Sequence, residues 1–213
     1  KKYVKFKKPF YGINCGTFGF LMNKFSDNNL ERKINLSKKT YTKPLVIEVK
    51  TKKYKKKILA VNEISLLRQS KQTASLKLKI GKKIILKKLI GDGILVSTPA
   101  GSTAYNLSVH GPILSLDSSK LAVTPISPFR PRRWKGKIIS NKKTITITNL
   151  DPVKRPVATV ADNIEIRNII SISIKASKKI IFSLLYDKDR SLVKRIKFEQ
   201  TKKNRLKDEK FCK

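Results

Sequence analysis

Short segments in which apolar and polar residues alternate fill the chain from Pro44 to Tyr186. The stretch LVIEVKTKKYKKKILAVNEISLL (residues 45–67) contains two of them around a lysine-rich centre, and TITITNL and IEIRNIISISIK continue the pattern. Because successive side chains of a strand point to opposite faces of a sheet, this alternation predicts half-buried strands. We therefore expect a β-rich, sandwich-like domain over residues 43–186. It should begin with a hairpin whose solvated turn contains Lys55–Lys57.

The two ends of the chain differ from this central part. PFYGINCGTFGFL (residues 9–21) reads as a short apolar strand followed by a glycine-punctuated loop, as in nucleotide-binding α/β units. We expect residues 1–42 to be the remainder of an N-terminal Rossmann-like α/β domain, in a chain that starts partway through a longer protein. The tail, 187–213, is polar and helix-compatible, and we expect it to pack back on that first domain. The predicted fold class is α/β followed by all-β.

Charge alone leaves two interpretations open. The chain has 50 basic and 14 acidic residues, for a net charge of +36. A basic domain of this kind can bind phosphate backbones. However, the lysines are scattered through almost every segment, which favours compositional drift at tolerant surface positions. We expect no specific nucleic-acid partner, and a module that binds nucleic acid stays an alternative.

Several kinds of site are excluded by residue counts. His110 is the only histidine and has no acidic neighbour in sequence, which disfavours a Ser-His-Asp arrangement. Cys15 and Cys212 show neither zinc-ligand nor disulfide spacing, so we predict no metal site on this chain and reduced thiols. No apolar run is long enough for a membrane span, and no signal peptide is recognisable. These features predict a cytoplasmic protein with no membrane partner.

Residues 91–114, GDGILVSTPAGSTAYNLSVHGPIL, carry four glycines, two prolines and many hydroxyl side chains around Tyr105. Such a stretch offers tight turns and hydrogen bonds with almost no charge, which suits a ligand with a flat ring. Glu63, Asp92 and Asp162 each stand where an apolar strand ends. Each could be a simple turn-forming residue. Because an unpaired carboxylate is costly in apolar surroundings, we expect the three to share a polar site.

The chain resembles the bacterial NAD kinases through five segments that follow one another in the family's order. They are VNEISLLR, DGILVSTPAGSTAYNLS, HGPIL, TPISPF and RPVATVADN. The resemblance implies transfer of the γ-phosphoryl group of ATP to the 2′-hydroxyl of the adenosine ribose of NAD, giving NADP. It also implies Mg²⁺ as cofactor and a homo-oligomer, either a dimer or a tetramer. The family's Gly-Gly-Asp-Gly motif is absent from the sequence. The catalytic aspartate is therefore expected upstream of Lys1, and no catalytic residue is assigned.

The same resemblance assigns a set of NAD-binding residues. Asn62 and Glu63 should meet the adenine and ribose, Asp92 should accept hydrogen bonds from the substrate, and Tyr105 should form a flat wall. The turn into a helix that cups the ligand should comprise Thr103, Ala104, Tyr105, Asn106, Leu107 and Ser108. The remaining cavity residues are Ala100, Ser127, Asn163 and Phe20. Where the family often has an arginine two residues before the aspartate, this chain has Ile90.

Two further readings stay open beside the kinase. A lipid kinase of the same superfamily shares the glycine-rich phosphate motif, although the STPAGSTAYNLS block disfavours it. A catalytically incomplete NAD(P)-binding fragment would keep the binding residues and lack the chemistry.

Overall fold

The fold is described by a computed structural model that covers Tyr3 and residues 6–16, 22–25 and 29–187. The chain divides into two compact units. The larger holds Thr40–Leu184 together with the residues before Phe10, and the smaller holds Phe10–Lys39 and the chain from Leu185. The predicted tail lies outside the described residues except for Asp187. None of the helices within the described ranges is both long and apolar enough to cross a membrane.

The smaller unit contains short elements only, as far as it is described. They are β1 (Phe10–Tyr11), β2 (Ile13–Asn14), β3 (Asn23–Lys24) and α1 (Leu30–Leu36). β2 and β3 pair in parallel. The buried Asn23 side chain donates to the carbonyl of Leu185 at 3.0 Å and accepts from the N–H of Asp187 at 2.9 Å. The predicted Rossmann-like character of this part stays a prediction.

The larger unit is built almost entirely of strands. In chain order these are β5 (Leu45–Thr51), β6 (Lys55–Ala60), β7 (Glu63–Arg68), β8 (Ala74–Ile80), β9 (Lys83–Gly91), β10 (Gly93–Ser97), β11 (Lys120–Ile126), β12 (Lys137–Ser140), β13 (Ile145–Asn149), β14 (Val157–Ala161), β15 (Ile164–Ile166) and β16 (Ile169–Ala176). A 3-10 helix (Ala100–Thr103) and α2 (Tyr105–Ser108) follow β10. The strands β4 (Lys38–Thr42) and β17 (Phe182–Tyr186) carry the chain between the units.

Two six-stranded antiparallel sheets form the larger unit. Their strand orders are β12-β11-β10-β7-β14-β15 and β6-β5-β16-β13-β8-β9. One apolar cluster joins them: Ile64, Leu66 and Val96 from the first sheet pack in it with Ile47 and Ile147 from the second. The sequence prediction of a β-rich, sandwich-like domain is thereby confirmed.

The first hairpin follows the alternation read from the sequence. In β5, Leu45, Ile47 and Val49 are buried while Glu48 and Lys50 are exposed. β6 pairs antiparallel with β5, and Leu45 lies opposite Ala60. The predicted turn was misplaced, because Lys55–Lys57 lie in β6. Their side chains are exposed, so the lysines are solvated as strand residues.

The segment IEIRNIISISIK is not one continuous strand. It divides at Asn168, whose φ is 58° and whose N–H donates to Oε1 of Gln69 at 2.8 Å. Asparagine tolerates this left-handed conformation better than most residues. The turn sends β15 into one sheet and β16 into the other.

Candidate functional site

Three chain segments meet at one end of the first sheet. Glu63, the first residue of β7, pairs with Ser97, the last of β10. On the other side of β7, Ile64 pairs with Ala161, the last of β14. The antiparallel arrangement therefore gathers Asn62 and Glu63 with the segments that leave β10 and β14.

Hydrogen bonds fix the backbone where these segments meet. The Asp162 carboxylate accepts from the N–H groups of Val61 at 2.8 Å and Asn62 at 3.0 Å. Thr98 donates its N–H to the carbonyl of Asn62 at 2.9 Å and its hydroxyl to the carbonyl of Val61 at 2.8 Å. Asp162 has a φ of 52°, which an aspartate can adopt in a tight turn. It acts here as the turn-forming residue that positions Asn62 and Glu63.

Gly101 allows the loop after β10 to approach Asn62 closely. A Cβ atom at this position would lie 2.3 Å from the carbonyl oxygen of Asn62. No side chain fits at that distance, and the atom in the way belongs to the backbone. Gly101, the third of the four glycines in the 91–114 stretch, therefore allows the loop to close against the Asn62 turn.

Glu63 carries the one strongly perturbed carboxyl group that the described ranges contain. Burial, and second the nearby charge of Asp162, raises its pKa from 4.5 to about 7. Its buried Oε2 atom has no hydrogen-bond partner among the described residues. Near neutral pH this group can accept hydrogen bonds as a carboxylate or donate one as an acid.

The helical turn predicted after β10 is confirmed by the 3-10 helix and α2, both of which contact β10. The side chain of Asn106 is fully buried and holds this turn together. It donates to the carbonyls of Ser102 at 3.3 Å and Pro112 at 2.9 Å, and its Oδ1 accepts from the Thr124 hydroxyl at 2.7 Å. Because Asn106 has these internal partners, the structure gives it a positioning role in the loop.

The other predicted residues of this turn differ in accessibility. Tyr105 is 36% exposed and free to meet a ligand with its ring. Ser108 and Asn163 are also exposed, Ala104 and Leu107 are half-buried, and Ala100 and Thr103 are buried. Phe20 lies outside the described residues.

Asp92 lies at the opposite end of β10. Gly93 pairs with Leu67, near the end of β7, and the N–H of Asp92 donates to the carbonyl of Ile126 at 3.0 Å. The five residues of β10 lie between Asp92 and Thr98, which are therefore about 20 Å apart at the usual rise of a strand. Exposed Ser127, with a φ of 46°, follows Ile126 at the same end as Asp92.

Asp92 has a donor within the chain, so the cost of an unpaired carboxylate does not by itself require a substrate donor there. Its Oδ1 accepts from Nε of Arg68 at 2.5 Å, and both side chains are 37% exposed. The expectation that the three carboxylates share one site was wrong, since Asp92 is at the far end of the sheet from Glu63 and Asp162. The sequence analysis assigned no role to Arg68 or Thr98. Only the strand register, which pairs the end of β7 with the start of β10, reveals Arg68 as a partner of Asp92.

The comparisons with known proteins agree with this architecture. Residues 61–180 match the family described as ATP-NAD kinase C-terminal domain. The NAD kinase of Caulobacter vibrioides is 44% identical over 193 residues, which cover 90% of this chain and 74% of that protein. The NAD kinase of Zymomonas mobilis is 46% identical over 196 residues, covering 92% and 76%.

Two solved structures share the fold. Yeast NADH kinase complexed with NADH superimposes with a TM-score of 0.80 at 24% identity, covering 94% of this chain and 61% of that one. An NAD kinase from Archaeoglobus fulgidus in complex with ATP gives 0.71 at 24% identity, covering 85% and 70%. The family match over residues 61–180, together with relatives above 40% identity along nine-tenths of the chain, shows that this chain belongs to the NAD kinase family.

Proposed function

We propose that this chain belongs to a cytoplasmic NAD kinase, which transfers the γ-phosphoryl group of ATP to the 2′-hydroxyl of the adenosine ribose of NAD. The observation that carries the proposal is the half-buried, unpartnered carboxyl of Glu63 beside Asn62 and the loop of Gly101, within the matched residues 61–180. A ribose supplies hydroxyl donors for such a carboxylate. The amide of Asn62 supplies both a donor and an acceptor for an adenine edge.

The role of this site is to position the dinucleotide. Phosphoryl transfer depends mainly on orientation and on stabilising charge, so a ribose fixed by Glu63 holds its hydroxyl where the donor phosphate can meet it. Tyr105 offers its exposed ring as a wall for a flat ring of the substrate. We assign no proton acceptor to the described residues. The expected aspartate belongs to the family's Gly-Gly-Asp-Gly motif, which the sequence does not contain.

Mg²⁺ is implied by the family chemistry, and we assign no ligand for it to the described residues. They contain no group of three or more His, Cys, Asp or Glu side chains that could hold a metal ion. The mechanism proposed for this chain therefore contains no step through the ion.

We further propose that Asp92 acts on a dinucleotide bound by a second copy of the chain. Asp92 and Glu63 lie at opposite ends of neighbouring strands, and β10 between Asp92 and Thr98 is buried along its whole length. In a homo-oligomer, a symmetry axis can bring the Asp92 end of one copy to the Glu63 end of another. The predicted dimer or tetramer would then be required for a complete site.

The decisive experiment follows NADP formation by the full-length protein. NAD, Mg²⁺ and either ATP or polyphosphate are supplied, and NADP is detected with an NADP-specific dehydrogenase. Formation of NADP supports the kinase. NAD binding without NADP formation by the full-length protein would favour the catalytically incomplete binding protein. Tight, sequence-selective binding of duplex DNA at physiological salt would instead favour the nucleic-acid module.

A further inference from the structure

A second concave region of the larger unit lies at one end of the other sheet. Here β6 and β16 end and β5 and β13 begin, since Leu45 pairs with both Ala60 and Ala176, and Ile145 pairs with Ile174. The cavity has a volume of about 1150 Å³. Six lysines line it: Lys43, Lys57, Lys142, Lys175, Lys178 and Lys179. We call it the lysine cleft.

The concentration of lysine in the cleft exceeds that of the chain as a whole. Lysines are six of its fifteen lining residues, whereas the whole chain of 213 residues has 50 lysines and arginines together. Lys43, Lys57 and Lys142 come from three separate segments, and the fold brings them to the segment 175–179 that carries the other three. No Asp or Glu is among the lining residues. Within the described ranges, one of these six lysines forms an ion pair: Lys57 Nζ lies 4.0 Å from Glu48 Oε1. Like charges gathered in this way repel one another unless an anion lies between them.

A smaller cavity of about 360 Å³ adjoins the lysine cleft and shares Lys43, Ser119, Asn141 and Ala176 with it. Two buried hydroxyls in its wall, on Thr42 and Ser118, have no hydrogen-bond partner among the described residues. Thr42 is only 3% exposed. A buried hydroxyl without a partner is costly, and an anion oxygen that came within hydrogen-bond distance of either group would remove that cost. The carboxylate in this wall, Asp117, already accepts a hydrogen bond from Ser115.

We infer that the lysine cleft and the adjoining smaller cavity bind an oligophosphate anion at a site separate from the proposed dinucleotide site. Lysine ammonium groups bind phosphate oxygens as flexible point charges, and no guanidinium imposes a planar geometry on the cleft. The lysine cleft has no aromatic lining residue and offers no platform for a nucleobase, while the smaller cavity has Tyr41 in its wall. This chemistry favours a bare phosphate chain over a nucleotide or single-stranded nucleic acid.

The cleft is distinct from the Glu63 end of the first sheet. None of Asn62, Glu63 and Tyr105 lines either cavity. The smaller one is bounded by Pro99, which directly precedes Ala100 of the site loop. An anion that extends into the smaller cavity would therefore lie against Pro99, at the base of that loop, without entering the site.

Calorimetric titration of the full-length protein with tripolyphosphate at about 150 mM salt tests the inference. The variant Lys175→Gln/Lys178→Gln should weaken binding by about tenfold, because it removes two charges from the cleft. The control Lys87→Gln/Lys88→Gln removes two equally exposed charges from β9, which does not line the cleft. It should change the affinity by less than about twofold. Equal losses in the two double variants would overturn the inference, since they would indicate diffuse attraction by net charge.

Thr42→Val provides a second test that does not depend on charge. Valine has nearly the same shape and removes the unpartnered hydroxyl, so the melting temperature without anion should stay the same or rise. Tripolyphosphate affinity should nevertheless fall by about threefold or more, because a donor to the phosphate is lost. An unchanged affinity would contradict the inference. A second result would also contradict the inference. This would be tighter binding of duplex DNA than of tripolyphosphate at the same phosphate concentration, with the DNA affinity reduced in Lys175→Gln/Lys178→Gln. Because the readout is anion binding, its failure leaves the kinase proposal untouched.

Discussion

The N–H of Asp162 donates to the carbonyl of Glu63 at 3.3 Å, and the charge of Asp162 adds to burial in raising the pKa of Glu63 to about 7. One residue thus shapes both the backbone and the protonation of its neighbour. The structural and chemical roles of this carboxylate pair can be separated by substitution.

Glu63→Gln should stabilise the protein above neutral pH and weaken NAD binding. A carboxyl whose folded-state pKa is raised from 4.5 to about 7 favours folding below pH 4.5, and this contribution is lost as the pH rises through 7. Glutamine keeps the shape and cannot ionise, so at pH 8 it should gain about 1 to 2 kcal/mol after allowance for solvent screening. Urea unfolding at pH 5 and pH 8 measures the difference. An equal effect at both pH values would contradict the raised pKa.

Asp162→Asn should lower the pKa of Glu63 while largely preserving the turn. Asparagine tolerates the φ of 52° and keeps one acceptor for the Val61 and Asn62 N–H groups, but it removes the negative charge. The titration of Glu63 can be followed by carbon NMR. Asp162→Ala is the contrasting variant: it leaves both N–H groups unpaired and should cost about 1 to 3 kcal/mol of stability. A Glu63 pKa that does not move in Asp162→Asn would assign the whole shift to burial.

Gly101→Ala should disrupt the Asn62 turn. The new methyl group would meet the Asn62 carbonyl at 2.3 Å, and relieving this clash requires backbone movement that should cost about 1 to 3 kcal/mol. NAD binding should weaken together with stability. Gly16→Ala is the control, since the nearest atom to its added Cβ lies 3.9 Å away. Thermal unfolding of both variants checks the prediction, which fails if they behave alike.

Tyr105→Ala should weaken the binding of NAD and leave ATP almost unaffected. The ring is 36% exposed, so its removal costs little core packing, while a stacking wall worth about 0.5 to 1.5 kcal/mol is lost. The two Michaelis constants and the melting temperature of the full-length enzyme are measured together. A lower melting temperature with both constants raised alike would show that Tyr105 is a packing residue.

Asp92→Asn should raise the Michaelis constant for NAD roughly tenfold to a hundredfold, as a charged acceptor is replaced by a group that is half donor. If Asp92 of one copy contacts the dinucleotide bound by another copy, mixing the Asp92→Asn variant with the Glu63→Ala variant restores some complete sites. In a randomly mixed dimer half the dimers are mixed and one of their two sites is complete, so roughly a quarter of full activity returns. No recovery in the mixture would place both residues in the same copy.

Much of this architecture could be predicted from alternation alone. β5 and β13 bury every second residue against the apolar core, and a pattern of period two is legible without any long-range information. The turn after β10 was predictable for a similar reason, because its glycines and hydroxyl residues are local signals. What could not be predicted depends on register. The Arg68–Asp92 pair joins residues 24 positions apart, and no local pattern tells which strands become neighbours.

The order β10-β7-β14 also bears on how the protein folds. Residues 61–63 are held by Thr98 and by Asp162, about a hundred positions further along the chain. Pairings between such distant segments carry a large loop-closure cost, and sheets dominated by them assemble slowly. The turn at Asn62 can reach its final form only after β14 has joined β7. We therefore expect NAD affinity to appear in the last kinetic phase of refolding, after most of the strand signal has formed.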